Sequence, residues 1–258
     1  YPGGGWASPA DLCAAWLQAP GITTRYGDSI QTLQPTGQGG WQLRGDGGQV
    51  LGVADAVVLC NAADALRLLG PDTGAALGPL QRVRGQTTVL PASTPGLPPL
   101  QTPWADGGYA LRLADGRLLC GATSQVGDND PAVRAADHTH NLDALRRLTG
   151  WTGDADATKL DGRVGWRLQS SDRLPLLGPV PDVQVSAGQR RADQPRFVPR
   201  VPGLWLFTAL GSRGITQAAL GGEVLASWLT GDPVPLPASL LDAVDAARFL
   251  SRAVRRQD

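Results

Sequence analysis

Two short, uninterrupted apolar runs stand near opposite ends of the chain, and each passes at once into a helical pattern. Residues 56–60 read Ala-Val-Val-Leu-Cys between Asp55 and Asn61 and lead to a helix near 64–69; residues 204–210 read Leu-Trp-Leu-Phe-Thr-Ala-Leu and turn through Gly211-Ser212-Arg213-Gly214 into a helix reaching about 229. A strand without polar alternation is buried on both faces, so these runs predict helix-covered strands of α/β type, the first of them parallel to its neighbour. The stretch between them has another grammar. Strands are predicted at 84–90, 109–113 and 117–122, the last two joined by an Asp115-Gly116 hairpin turn, with Pro95, Pro98, Pro99 and Pro103 breaking the connection. Upstream, 30–33, 41–43 and 50–53 alternate between glycine-rich turns as an antiparallel meander. The expected fold class is therefore α/β plus α+β, a partial Rossmann-like nucleotide-binding half with an inserted antiparallel sheet; the expected domains are 1–78, 79–170 and 171–258.

Helical signals complete the outline. Ser8-Pro9-Ala10-Asp11 is a capped start, continued by Leu12, Ala15 and Trp16 at helical spacing and ended by Gly21. Residues 131–148 predict a long amphipathic helix with Gly150 beyond it, followed by a strand at 164–168. Residues 183–200 predict an exposed loop, and 239–253 one or two closing helices.

At 258 residues the chain holds one large or two modest domains, and its formal charge is zero, so any nucleic-acid contact must come from a local patch. With Tyr1 first and no methionine, the chain is expected to be a processed or excised piece. No apolar run approaches the roughly 18 residues of a membrane helix. Cys13, Cys60 and Cys120 are scattered, which suits reduced core thiols in the cytoplasm. His138 and His140, two apart on a helix, are expected to face solvent, and no metal site is expected. Neither G-x-G-x-x-G, a P-loop nor G-x-S-x-G occurs. The glycine turn at 211–214 could place helix amides against an anionic ligand edge, although on periodicity alone an ordinary helix start is the better reading.

Residues 165–182, Gly-Trp-Arg-Leu-Gln-Ser-Ser-Asp-Arg-Leu-Pro-Leu-Leu-Gly-Pro-Val-Pro-Asp, followed by Ala209-Leu210-Gly211-Ser212-Arg213-Gly214, resemble the C-terminal flavin-binding signature of the D-amino-acid oxidase and glycine oxidase superfamily. More closely, they resemble the FAD-dependent oxidoreductase domain of the bifunctional enzymes that complete methylaminomethyl-thiouridine at the tRNA wobble position. The opening Tyr1-Pro2-Gly3-Gly4-Gly5-Trp6 and residues 57–62, 83–86 and 120–124 fall in the same family order, so the resemblance spans nearly the whole chain.

The resemblance implies FAD as cofactor, with the G-x-G-x-x-G motif and a methyltransferase domain lying upstream of Tyr1. It implies tRNA as partner and oxidation of the glycine-like arm of carboxymethylaminomethyl-uridine, the imine then hydrolysing to release glyoxylate, with dioxygen as reoxidant. Arg167 would pair with the substrate carboxylate and Tyr109 would hydrogen-bond it. Gly211, Ser212, Arg213, Gly214 and Ile215 would line the flavin ring, Asn61 and Ala62 its ADP side, and Gly85, between Arg84 and Gln86, would lie near the flavin. Ser171 replaces an expected basic residue, which weakens RNA contact at that edge. Candidate RNA contacts are Arg190, Arg191, Arg196, Arg200, Arg252, Arg255 and Arg256. The alternatives are an oxidase of a free small amine, such as glycine or a D-amino acid, and an inert substrate- or RNA-binding lobe.

Overall fold

The computed structural model describes residues 5–186 and 191–256. The first helix, α1 (Pro9–Leu17), starts where the Ser8 hydroxyl accepts from the Asp11 N–H at 3.4 Å. Then come β1 (Thr32–Pro35), β2 (Trp41–Arg44) and β3 (Val50–Ala54), an antiparallel meander in that order, followed by β4 (Val57–Leu59), α2 (Ala65–Leu69) and α3 (Pro71–Ala76). The middle of the chain holds β5 (Leu80–Leu90), β6 (Trp104–Ala105), β7 (Tyr109–Arg112), β8 (Leu118–Gly121), β9 (Gln125–Val126), α4 (Ala135–Thr149) and β10 (Asp161–Ser170). The remainder is β11 (Leu176–Pro181), α5 (Val183–Ser186), β12 (Arg200–Thr208), α6 (Gly214–Thr230), α7 (Ala238–Val244) and α8 (Arg248–Val254). Among the described residues no helix is long and apolar enough to cross a membrane.

The chain divides into two units: Arg82–Trp166 with the described residues through Ile22, and Thr23–Gln81 with the described residues from Arg167 onward. In the second unit β12 lies between β11, antiparallel to it, and β4, parallel to it with Leu206 opposite Leu59. Strand alternation sends Leu204 and Leu206 to one face, with Leu59, Leu77 and Leu176, and Trp205 and Phe207 to the other, with Val224 and Leu225 of α6. The fit under α6 is tight. A Cβ on Gly221 would stand 2.2 Å from Cζ of Phe207, whereas nothing lies within 4 Å of one on Gly222. Gly221→Ala is therefore expected to lower the urea midpoint by the equivalent of about 1–3 kcal/mol through overpacking. Gly222→Ala should instead stabilise the helix by up to about 1 kcal/mol; equal effects at the two positions would refute the packing argument.

In the first unit the sheet runs β10-β5-β8-β7-β6, with β9 added on β5. Helix α4 packs on β7 and β8, and its Leu142 and Leu145 join Leu90, Ala110, Leu118 and Cys120 in the core. The rest of its buried face is polar. Arg84, Gln86 and Thr88 project from one face of β5, all fully buried, and α4 answers each. Arg84 pairs with Asp137 at 2.6 Å, Gln86 bonds the Arg134 N–H and C=O at 2.8 Å each, and Thr88 bonds His138 Nδ1 at 2.8 Å and Asn141 at 3.0 Å.

Several expectations are corrected here. His138 is buried beneath α4 against Thr88 rather than facing solvent, because the polar face of β5 supplies its partner; His140 is exposed as expected. Of the three thiols only Cys120 is in the core, where burial pushes its pKa up to about 12; Cys13 and Cys60 are exposed. Helix α4 begins at Ala135, not 131, because Asp128 and Asp130 accept from the Asp130 and Ala132 N–H groups and hold this stretch in turns. The 183–200 segment is not all exposed loop: it contains α5 and a buried Ala192, Pro195 and Val198.

Candidate active site

Because β4 and β12 are parallel neighbours, their carboxyl ends lie at the same edge of the sheet, roughly 4.8 Å apart. Two of the segments singled out from sequence follow these ends. Asn61 and Ala62 come directly after β4, with φ of +52° at Ala62, and 209–214 come directly after β12. In open α/β sheets the crevice beyond the carboxyl ends of the strands is where ligands bind. A cavity of about 540 Å³ opens beside β4, lined by Cys60, Asn61, Asp64 and Arg67 and by apolar Leu33, Leu43 and Val57. The Arg67 guanidinium, hydrogen-bonded to both Asp64 oxygens and to the Ile30 and Gln31 carbonyls, holds the meander against this rim and draws the Asp64 carboxyl below its usual range.

The turn after β12 is shaped by two left-handed residues, Ala209 (φ +58°) and Gly211 (φ +56°). It is fixed to β10: the Gly211 N–H donates to the Leu168 carbonyl at 2.9 Å, and Gln169 bridges Leu210. Arg167 immediately precedes Leu168, so its backbone stands at the turn, and its side chain is half-buried. Gly214 opens α6 without any side-chain cap from Arg213. The first N–H groups of this helix therefore lack intrahelical acceptors and carry the positive end of its dipole. Ser212, Arg213 and Ile215 are exposed, and a Cβ on Gly214 would meet nothing within 4 Å. Flanking the turn, Thr208 Oγ1 and Gln217 Oε1 are buried with no hydrogen-bond partner among the described residues. Uncapped amides, open space and orphaned polar atoms fit a planar ligand with an anionic edge, as the isoalloxazine of FAD is when reduced. Thr208 and Gln217 escaped the sequence reading; a hydroxyl closing an otherwise apolar strand was the available signal.

Asp172, within the 165–182 motif, accepts from Arg248, Arg252 and Ser170. Burial opposes its ionisation, but these hydrogen bonds prevail and hold its carboxyl well below the usual carboxylate range. Arg252 is thus already ion-paired, as are Arg196 with Asp242 and Arg200 with Asp245. Arg200 also donates to the Pro179 and Pro195 carbonyls and is only 18% exposed, so it serves the fold instead of an exposed cationic patch. Arg191, Arg255 and Arg256 are exposed, and Arg190 lies outside the described residues. In the other unit Tyr109 heads β7, half-buried, and Gly85 lies half-buried in β5 between the side chains committed to α4.

Comparison with known proteins gives this geometry its context. The model of the DAO family, FAD dependent oxidoreductase, matches residues 1–228. The tRNA 5-methylaminomethyl-2-thiouridine biosynthesis bifunctional protein MnmC of Methylibium petroleiphilum is 47% identical over 258 residues, covering 96% of this chain and 39% of that protein. Its counterpart in Burkholderia lata is 46% identical, covering 99% and 39%. The chain thus spans about two fifths of the length of these relatives. Among solved structures, iminodiacetate oxidase from Chelativorans sp. BNC1 is similar at a TM-score of 0.62 and 25% identity, covering 87% of this chain and 54% of that one. Glycine oxidase from Geobacillus kaustophilus is similar in fold at 0.64 and 24%, covering 88% and 54%.

Proposed function

Since this chain belongs to the DAO family of FAD-dependent oxidoreductases, with FAD as its cofactor, we propose that it forms the flavin-ring and substrate side of an enzyme that removes the carboxymethyl group from carboxymethylaminomethyl-uridine at the tRNA wobble position. The observation that carries this reading is the stapling of the 209–214 turn to β10 at Leu168, next to Arg167. Bound FAD supplies the two-electron acceptor. Arg167 holds the carboxylate of the substrate arm by a bidentate, charge-assisted contact that fixes the arm's methylene carbon in place. Tyr109 is assigned a hydrogen bond to the same carboxylate. The α6 amides, with Gly211, Ser212, Arg213, Gly214 and Ile215, would hold the anionic edge of the ring; Asn61 and Ala62 would hold the ADP side, and Gly85 is assigned to the flavin surroundings. No side chain is assigned as general base, because a neutral secondary amine needs none.

Iminodiacetate and glycine, named for two structural neighbours, share the N–CH2–COO⁻ arm of the proposed tRNA substrate. We assign 1–78 and 171–258 to the FAD-binding domain, 79–170 to the substrate domain, and an adjacent methyltransferase domain and the cytoplasm to the full-length protein. The decisive test incubates full-length protein with tRNA bearing the carboxymethyl group and, separately, with glycine and sarcosine. Conversion of the tRNA to its aminomethyl form with release of glyoxylate is expected; oxidation of the free amines alone would replace this reading by that of a small-amine oxidase. The 258-residue chain alone, which has no G-x-G-x-x-G, is expected to purify with far less than one flavin per chain. A stoichiometrically yellow protein would contradict that.

A further inference from the structure

We propose that a small cavity at the far end of α6 receives an unpaired base of the RNA substrate, a proposal that rests on the tRNA reading above. The cavity, about 260 Å³, opens between the end of α6, the start of α7 and β12. Its lining includes the stacked indole pair Trp205 and Trp228, with ring centroids 6.0 Å apart and planes inclined by 29°. Both rings are half-buried. Apolar Pro179, Ala238 and Leu241 and two ion pairs complete the lining, Arg196 with Asp242 and Arg200 with Asp245, the latter at 2.8 Å.

Size and charge together select the occupant. The volume falls below the ~300–1,000 Å³ of sites for drug-sized ligands, so a single flat ring fits and a second dinucleotide does not. Two guanidinium groups and two carboxylates leave the lining formally neutral. An ammonium caged by the indoles would be repelled by the arginines. A free anion would find each guanidinium already matched by a carboxylate. A neutral ring with donors and acceptors on its edge suits every wall: indole faces for stacking, guanidinium and carboxylate for the edge. Those are the properties of a nucleobase, and unstacked RNA bases are held in this way on aromatic faces. Trp228 lies about 21 Å along the helix from Gly214. The base held there is accordingly a neighbour in the same single strand, not the uridine being oxidised.

The test uses the full-length, flavin-loaded protein, tRNA kinetics, and tryptophan fluorescence during titration with a short unstructured oligoribonucleotide. Trp228→Ala is expected to raise KM for tRNA about tenfold, the loss of one stacked base, with kcat and oxidation of a free N-carboxymethyl amine unchanged. Trp228→Phe should restore most of the difference, which a merely structural role would not predict. Should Trp228→Ala fail to fold, Arg196→Gln, whose side chain is 45% exposed, provides the second readout: a several-fold rise in KM. Wild-type KM in the folded variants would overturn the proposal while leaving tRNA as substrate. Absence of wild-type activity on tRNA would overturn both. A mononucleotide quenching as tightly as the oligonucleotide, with KM unmoved in the variants, would mark a small-molecule site and overturn it too.

Discussion

Replacing Arg167 with alanine in the full-length enzyme is expected to lower kcat/KM for an N-carboxymethyl amine by about 10²–10³. Removing the cationic partner of a desolvated carboxylate costs roughly 2–5 kcal/mol, and each 1.36 kcal/mol is a factor of ten in rate. Lysine at this position should recover only part of the loss, because an ammonium is a point charge without the guanidinium's two parallel donors. Flavin absorbance should be retained, since the Gly211 N–H is held by the Leu168 backbone carbonyl, which the substitution leaves in place. The informative comparison is an analogue in which an amide replaces the carboxylate. Wild type should lose activity on it and Arg167→Ala should lose little more; an undiminished response of the variant to the carboxylate would remove Arg167 from the mechanism.

The second large effect is on stability. Asp137→Ala leaves the Arg84 guanidinium, 0% exposed, without its carboxylate, and breaking a buried pair from one side costs about 3–5 kcal/mol. Carbonyls of Asp130 and Ala132 and the Gln125 amide remain to hold the cation, which places the expected loss near the lower end, about 3 kcal/mol. The exposed pair Arg117–Asp115 is the control, where Asp115→Ala should shift the midpoint far less than Asp137→Ala. Urea unfolding followed by circular dichroism measures both. The double variant Arg84→Met with Asp137→Leu should recover much of the loss, because the cost lies in the stranded charge and not in the missing attraction. Similar midpoints for Asp137→Ala and Asp115→Ala would show that water reaches Arg84.

What could be read from sequence depended on whether burial was recorded as apolarity. Strand β4 announced itself because both its faces are covered, and the parallel neighbour expected for it is β12, a partner that lies too far along the chain for any local pattern to name. The α6 start was legible from its glycines. By contrast, β11 contains Gly178, Pro179 and Pro181, residues that argue against a central strand; they are tolerated because β11 lies at the end of its sheet, and Pro179 lends its carbonyl to Arg200. The polar seam of β5 and α4 was hidden for a different reason. Arg84, Gln86 and Thr88 alternate as a strand face should, but hydrophilic residues on such a face read as solvent-directed until Asp137, His138 and Asn141 are seen opposite them. Helix α3, a short six-residue element begun by Pro71, carried too little periodicity to register. As for the site, the motif residues at the ends of β4 and β12 were accessible through family likeness, whereas Thr208 and Gln217 emerge only when partners are counted.

The sheet of the first unit has a property that bears on how such proteins diversify. The chain arrives on β5 and departs on β10, and these two strands are hydrogen-bonded neighbours. The stretch between those two strands, whose beginning and end sit side by side, behaves like a cassette. Its length can change at little entropic expense, since closure between fixed ends grows only logarithmically with the number of residues enclosed. Such a stretch can be rewritten while the unit that holds β4, β11 and β12 keeps its own packing constraints.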